Sequence, residues 1–189
     1  MLFRSCLSCT TGARLEREKC AACLTCLRVC PHGAPSVSHG DVYFDVEACH
    51  ACGACASECP ARAISIEGHS EEEMDRRVEA ALSGGDSDAT MRFACECAFL
   101  PERDLSDPRT LTVTCLLRVS EATVLRALQH GAERVVFTGC VEDDCRYPGS
   151  RELVARRASE IGALLSQMGM EDAFIVSEES REGEEVHAG

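Results

Sequence analysis

Apolar and polar positions keep two different rhythms along this chain. Between residues 91 and 177, short apolar runs alternate with amphipathic stretches. Met91–Cys97 is one such run. Leu111, Val113 and Cys115 belong to a second, and Arg134-Val135-Val136-Phe137-Thr138 reads as a buried strand. Ala173-Phe174-Ile175-Val176 is the last. Two helices fall between these runs. Ser120 is placed to cap a helix from Glu121 to His130 that ends at Gly131. Ser150 is placed to cap a longer one, with Leu153, Ile161, Leu164, Leu165 and Met168 on its apolar side and Gly169 as its stop. Short β-rich runs alternating with helices pair in parallel through right-handed crossovers, which predicts an open α/β sheet.

The first third reads differently. Its one alternating stretch, Val42, Phe44 and Val46, predicts a small strand. Further on, Ser70-Glu71-Glu72-Glu73 is a capping-box pattern that predicts a helix from about Glu71 to Leu82. Met74, Val78, Ala81 and Leu82 share one face of that helix. Ser83-Gly84-Gly85-Asp86-Ser87-Asp88 reads as a flexible linker. The last stretch, 178–189, holds five glutamates and one arginine and reads as a solvated acidic tail.

Composition changes the picture in two ways. Nineteen basic against 32 acidic residues give a net charge of −13, which argues against a nucleic-acid partner or an anionic membrane surface. The chain also carries 15 cysteines in 189 residues, an odd number that cannot all pair within it. The first residues lack the apolar core of a signal peptide. No apolar run approaches the roughly 20 residues of a membrane span. The expectation is a cytoplasmic protein without direct membrane insertion, in a reducing compartment where many cysteines point to metal rather than disulfides. Ten cysteines fall in residues 6–59, none in 60–94 and five in 95–145, which suggests two modules and a connector.

The first ten contain a repeat with an offset of 29 residues. Cys20, Cys23, Cys26, Cys30 and Pro31 recur as Cys49, Cys52, Cys55, Cys59 and Pro60, each half reading C-x2-C-x2-C-x3-C-P; Ala34 and Val37 recur as Ala63 and Ile66. Three thiolates at this spacing wrap one cubane cluster, and the fourth cysteine of each half ligates the other cluster. The expected sets are Cys20, Cys23, Cys26 and Cys59 for one [4Fe–4S] centre, and Cys49, Cys52, Cys55 and Cys30 for the second. Residues 18–68 thus resemble a bacterial-type two-cluster ferredoxin. The alternative is structural zinc, for which Cys6, Cys9, Cys20 and Cys23 would form a ribbon-like foursome. Cys6 and Cys9 otherwise join a further cluster, stay free, or share a metal with a partner. His32 and His50 lie beside ligand candidates. They are read either as loop histidines facing solvent or as hydrogen-bonding groups that affect cluster potential.

The remaining cysteines sit at predicted strand ends. Cys95 and Cys97 end the first run of the sheet, Cys115 the second, and Cys140 and Cys145 follow the third. In an open parallel sheet the carboxyl ends share one edge, where ligands bind, so these five converge. Four such thiolates suit an iron–sulfur centre or zinc. Residues 91–177 resemble the delta subunit of methyl-viologen-reducing hydrogenase and its relatives. The resemblance lies in Gly139-Cys140, Cys145, Tyr147 and Gly149, in Cys115 followed by Arg118-Val119, and in Gly131-Ala132. It implies a [2Fe–2S] cluster on four of Cys95, Cys97, Cys115, Cys140 and Cys145. The family's C-x2-C is Cys95-Glu96-Cys97 here, its histidine is Arg146 and its asparagine is Ser150.

The expected architecture is an α+β ferredoxin-like two-cluster domain (1–68), then a helix and flexible linker (69–90). A small α/β open parallel-sheet domain of flavodoxin or Rossmann-like type (91–177) and the acidic tail (178–189) complete it. No nucleotide-binding glycine fingerprint and no catalytic Ser–His–Asp or Cys–His set is present, and Glu142, Asp143 and Asp144 read as a solvated loop. The chain is therefore expected to carry electrons rather than to catalyse. The resemblance implies a partner like the flavin-carrying A subunit of heterodisulfide reductase, in an electron-bifurcating assembly. That assembly would be of hydrogenase, formate dehydrogenase, methylene-tetrahydrofolate reductase or class II benzoyl-CoA reductase type. The competing readings are a zinc-stabilised structural adaptor and a self-contained flavin oxidoreductase.

Overall fold

A computed structural model describes residues 12–84, 89–98, 100–140, 145 and 147–177. The acidic tail, most of the linker, Cys6, Cys9, Arg146 and the Glu142–Asp144 loop lie outside them. The chain divides between Glu73 and Met74 into two compact units.

The first unit is built from short pieces. Strand β1 (Ala13–Leu15) pairs antiparallel with β4 (Ile64–Ile66), and β2 (Pro35–Ser38) pairs antiparallel with β3 (Asp41–Phe44). Two helices of one turn each, α1 (Thr25–Val29) and α2 (Ala54–Ser57), pack on each other between these ribbons. Their apolar core is small: Val42, Ile64, Ile66, Ala51, Ala56, Cys26 and Cys55. Alternation puts Val46 in the central strand, but it lies outside β3 and is 70% exposed. Asp45 is the reason: its carboxylate accepts the backbone N–H groups of Glu47 (2.9 Å) and Ala48 (3.4 Å), which turns the chain away.

Helix α3 (Glu71–Leu82) runs across the division between the units and is capped by Ser70, whose Oγ accepts the Glu73 N–H at 3.1 Å. Its Met74, Val78 and Leu82 are buried in the same core as the sheet, so the helix expected in the connector belongs to the second unit from Met74 on. The sheet has four parallel strands in the order β6-β5-β7-β8: β5 (Thr90–Cys95), β6 (Thr110–Val113), β7 (Arg134–Thr138) and β8 (Phe174–Ser177). Helix α4 (Glu102–Leu105) joins β5 to β6, and α5 (Glu121–Gln129) and α6 (Pro148–Gln167) flank β7 in sequence. Met91, Phe93, Val113, Val124, Val135, Phe137 and Leu165 are wholly buried, and Phe137 meets Phe93 and Phe174 edge to face.

Ser120 caps α5 by accepting the Thr123 N–H, and Gly131 follows with φ +102°. Ser150 does not cap α6. The cap position is three residues earlier, at Tyr147, and the helix starts at Pro148, whose fixed φ and missing N–H suit the first helical position. Ser150 lies inside the first turn, with its N–H on Tyr147 O at 2.8 Å.

Candidate metal centres

Each of the two loops that carry the repeated motif bends through left-handed backbone at matching positions. Ala22 (φ 51°) and Leu24 (φ 59°) in the first correspond to Ala51 (φ 50°) and Gly53 (φ 85°) in the second, at the offset of 29. Alanine and leucine in this region cost about 1–3 kcal/mol each, and they persist where the surroundings over-determine the loop. Alternation of left- and right-handed residues also turns successive N–H groups inward, the concavity in which thiolate-bound clusters sit.

The loops enclose two cavities. One is lined by Cys20, Cys23, Cys26 and Cys59, with Leu15, Ala21, Ala61, Val42 and Ile64 among its walls. The other is lined by Cys30, Cys49, Cys52 and Cys55, with Ala34, Phe44, Ile66, His32 and His50. Three cysteines of each set come from one half of the repeat and the fourth from the other half, brought over by the α1–α2 packing. Backbone N–H groups already point at sulfur: Ala13 N–H reaches Cys49 Sγ and Ala63 N–H reaches Cys59 Sγ, both at 3.3 Å. Gly12 lies so close that a Cβ there would stand 3.2 Å from Cys49 Sγ.

The two sets differ in exposure. Cys23 is exposed and its thiol is lowered by a hydrogen bond with Thr25, whereas burial pushes Cys52 up to about 11 and Cys55 higher still. Burial thus keeps the Cys52 and Cys55 thiols protonated near neutral pH, and a cation bound there would have to displace those protons. His32 and His50 meet with ring centroids 4.6 Å apart, and burial followed by His50 lowers the His32 imidazole.

In the second unit a cavity opens at the carboxyl ends of the strands. Cys95, Cys115, Cys140 and Cys145 line it, with Leu116, Gly139, Ser150, Arg151, Val154 and Val176. It lies where the strand order reverses, between β5 and β7, the crevice that open parallel sheets use for ligands. Cys95 is the last residue of β5, and Cys115 and Cys140 each follow their strand by two residues. Cys115 thus lies past the strand to which its apolar run assigns it, at the start of a tight 3-10 turn, Leu116–Arg118. Cys97 is not among the lining residues. The chain reverses after Cys95, with Ala98 N–H on Cys95 O at 2.8 Å, and carries Cys97 off the strand end. Cys95 Sγ and Cys140 Sγ lie 3.5 Å apart. Their contact, together with burial, raises the Cys95 thiol; the same contact, with help from Cys145 and Arg151, lowers Cys140 to about 6.

Three neighbours of this cavity do not stand out as site residues in the sequence. Arg157 is buried on α6 and donates through Nη1 to Leu117 O and, at 3.3 Å, to Val119 O, which ties the turn after Cys115 to the helix after Cys145. Arg151 supplies positive charge near Cys140. Ser150 Oγ is buried in the wall without a hydrogen-bond partner among the described residues. Only the spacing of charge on an amphipathic helix could have flagged Arg157, and that spacing looks the same on any solvated face.

All three donor sets are soft thiols in largely apolar walls, the chemistry that suits iron–sulfur centres. Among the described residues, no three His, Cys, Asp or Glu side chains close on a single-ion point. No described helix is long and apolar enough to cross a membrane.

Comparison with known proteins agrees on both parts. Residues 13–60 match the family described as a 4Fe-4S dicluster domain, and residues 94–186 match the delta subunit of methyl-viologen-reducing hydrogenase. The chain is 29% identical over 170 residues to the A subunit of ferredoxin:CoB-CoM heterodisulfide reductase of Methanosarcina mazei, covering 85% of this chain and 21% of that protein. The corresponding subunit of the ferredoxin/F(420)H(2)-dependent CoB-CoM heterodisulfide reductase of Methanosarcina acetivorans matches to the same extent. The iron-sulfur D subunit of the F420-non-reducing hydrogenase vhc of Methanococcus voltae is 29% identical over 70 residues, 37% of this chain and 49% of that one. The chain spans about a fifth of the length of the first two relatives. Over these two stretches it joins a 4Fe–4S dicluster domain to a domain of the methyl-viologen-reducing hydrogenase delta-subunit family.

Proposed function

We propose that this chain is an electron-relay subunit with two [4Fe–4S] centres and one [2Fe–2S] centre. Cys20, Cys23, Cys26 and Cys59 hold the first cubane, and Cys30, Cys49, Cys52 and Cys55 the second. Cys95, Cys115, Cys140 and Cys145 hold the binuclear centre, and Cys97 is the spare thiol. The observation that carries this reading is that three separate cavities are each lined by four cysteines. When bound, such centres supply one-electron chemistry. The chain's own work is to present thiolates, to exclude water behind apolar walls, and to direct backbone N–H groups at sulfur. Through its second domain the chain exchanges electrons with a flavoprotein like the A subunit of heterodisulfide reductase. Its first domain serves a donor or acceptor module of hydrogenase or related type, in the cytoplasm and in a flavin-based bifurcating assembly. The net charge of −13, made more negative by thiolate-bound clusters, suits a partner with a basic docking surface.

Metal analysis of anaerobically prepared full-length protein tests this. Three centres give about ten iron atoms per chain, from four, four and two. Zinc in place of iron, or a colourless protein, would leave the structural-adaptor reading instead. Bound flavin with turnover in the isolated chain would favour the self-contained oxidoreductase. Cys95→Ala should lose about two irons and the [2Fe–2S] EPR signal, while Cys97→Ala should keep both. Iron well above ten would implicate a further centre using Cys6 and Cys9.

A further inference from the structure

The offset of 29 that relates the two repeated cysteine sets also relates the walls of their cavities, and two wall positions break the correspondence. Ala21 corresponds to His50, and Ala61 corresponds to His32. Both alanines line the first cavity and both histidines line the second. The two imidazoles are in edge-to-face contact at 69°, and Nε2 of His32 is buried in the wall. One cavity therefore has methyl groups where its twin has rings, each of which carries at least one N–H donor in either neutral tautomer.

Burial acts in the other direction. Two thiols of the second set, Cys52 and Cys55, are buried, whereas the first set has one buried thiol, Cys26, and an exposed one, Cys23. Accepting an electron makes a centre more negative. A dry environment disfavours that state, and a hydrogen-bond donor in the wall favours it. The histidines thus stand at the cavity whose burial would otherwise depress its potential more.

Resting on the reading that each set holds a [4Fe–4S] centre, we propose that His32 and His50 set the potential of the centre held by Cys30, Cys49, Cys52 and Cys55. They stabilise its one-electron-reduced form against the penalty of burial. The step they bias is transfer of one electron between the two centres of this chain: one is oxidised, the other reduced, and no further reactant enters. A hydrogen bond to a charged group changes such an equilibrium by about tenfold, ~59 mV for one electron.

The test is potentiometric titration of the full-length, cluster-loaded chain, followed by visible absorbance and EPR, in two paired variants. H32A/H50A gives each histidine the residue its repeat partner already has. One [4Fe–4S] midpoint should fall by about the equivalent of a tenfold change, and the other should stay. A21H/A61H, the reverse exchange, should raise the midpoint that the first variant left unmoved. Unmoved midpoints in H32A/H50A at full iron content, or both midpoints moving together, would overturn the proposal. A wild-type chain without [4Fe–4S] iron would instead overturn the reading on which it rests, so the two failures are told apart by iron content.

Discussion

The two units assemble four-thiol cavities by opposite means. In the first, three of each four thiols lie within seven residues of chain, and the loops that carry them are the unit. In the second, the four thiols span 51 residues and meet only because three parallel strands end on one edge. The first unit has a core of a few small and medium side chains. The second buries Phe93, Phe137, Met74, Met91 and a set of valines and leucines. A small module with little apolar core depends on metal for its staples, whereas a packed sheet does not. A four-thiol set thus makes up much of the interior of one unit and is an addition to an already packed core in the other.

The strongest way to break this contrast is to remove the iron. Chelation under reducing conditions should abolish amide protection throughout the described part of residues 12–73 while leaving that of 90–177 largely in place, read by hydrogen exchange. Equal loss in both would erase the distinction. Phe137→Ala approaches it from the other side. It deletes a wholly buried ring between Phe93 and Phe174, and should destabilise the second unit by about 3–5 kcal/mol in chemical denaturation, with the iron content of the first unit unchanged.

A smaller effect separates the two units in the iron-free protein. Burial raises Cys52 to about 11 from an ordinary value near 9, so its contribution is full below pH 9 and is lost as pH rises toward 11. Cys140 is lowered to about 6, so its contribution is full above pH 9 and is lost as pH falls through 6. Denaturation of apo-protein against pH should therefore weaken whatever residual structure the first unit keeps on the alkaline side, while the second unit weakens there through the raised Cys95 and on the acid side through Cys140. Parallel profiles would show that the thiols do not set either.

The parts of the fold that were legible in the sequence are those encoded within a few residues. The cap at Ser120, the stop at Gly131, the Ser70 start of α3 and the repeated C-x2-C-x2-C-x3-C-P all rest on local hydrogen bonding or ligand spacing. Pattern and structure part where a neighbour competes. Pro148 starts α6 ahead of Ser150, and the Asp45 carboxylate ends β3 before Val46. That Cys95 rather than Cys97 lines the cavity follows from one turn hydrogen bond at Ala98, which hydrophobic patterning does not resolve.

The cysteine repeat, its offset, the alternation that makes a parallel sheet and the charge of the chain are properties of residue order and can be read without a fold. Which thiols share a cavity in the second unit is set by packing instead. That outcome depends on the strand order β6-β5-β7-β8, and a crossover can carry the next strand to either side of the sheet without changing local pattern. Likewise the alanine and histidine pairs acquire meaning only once packing puts Ala21 with Ala61, and His50 with His32, around separate cavities. Residues 29 apart are compared by reading the chain, but residues that share a wall are chosen by how the chain folds.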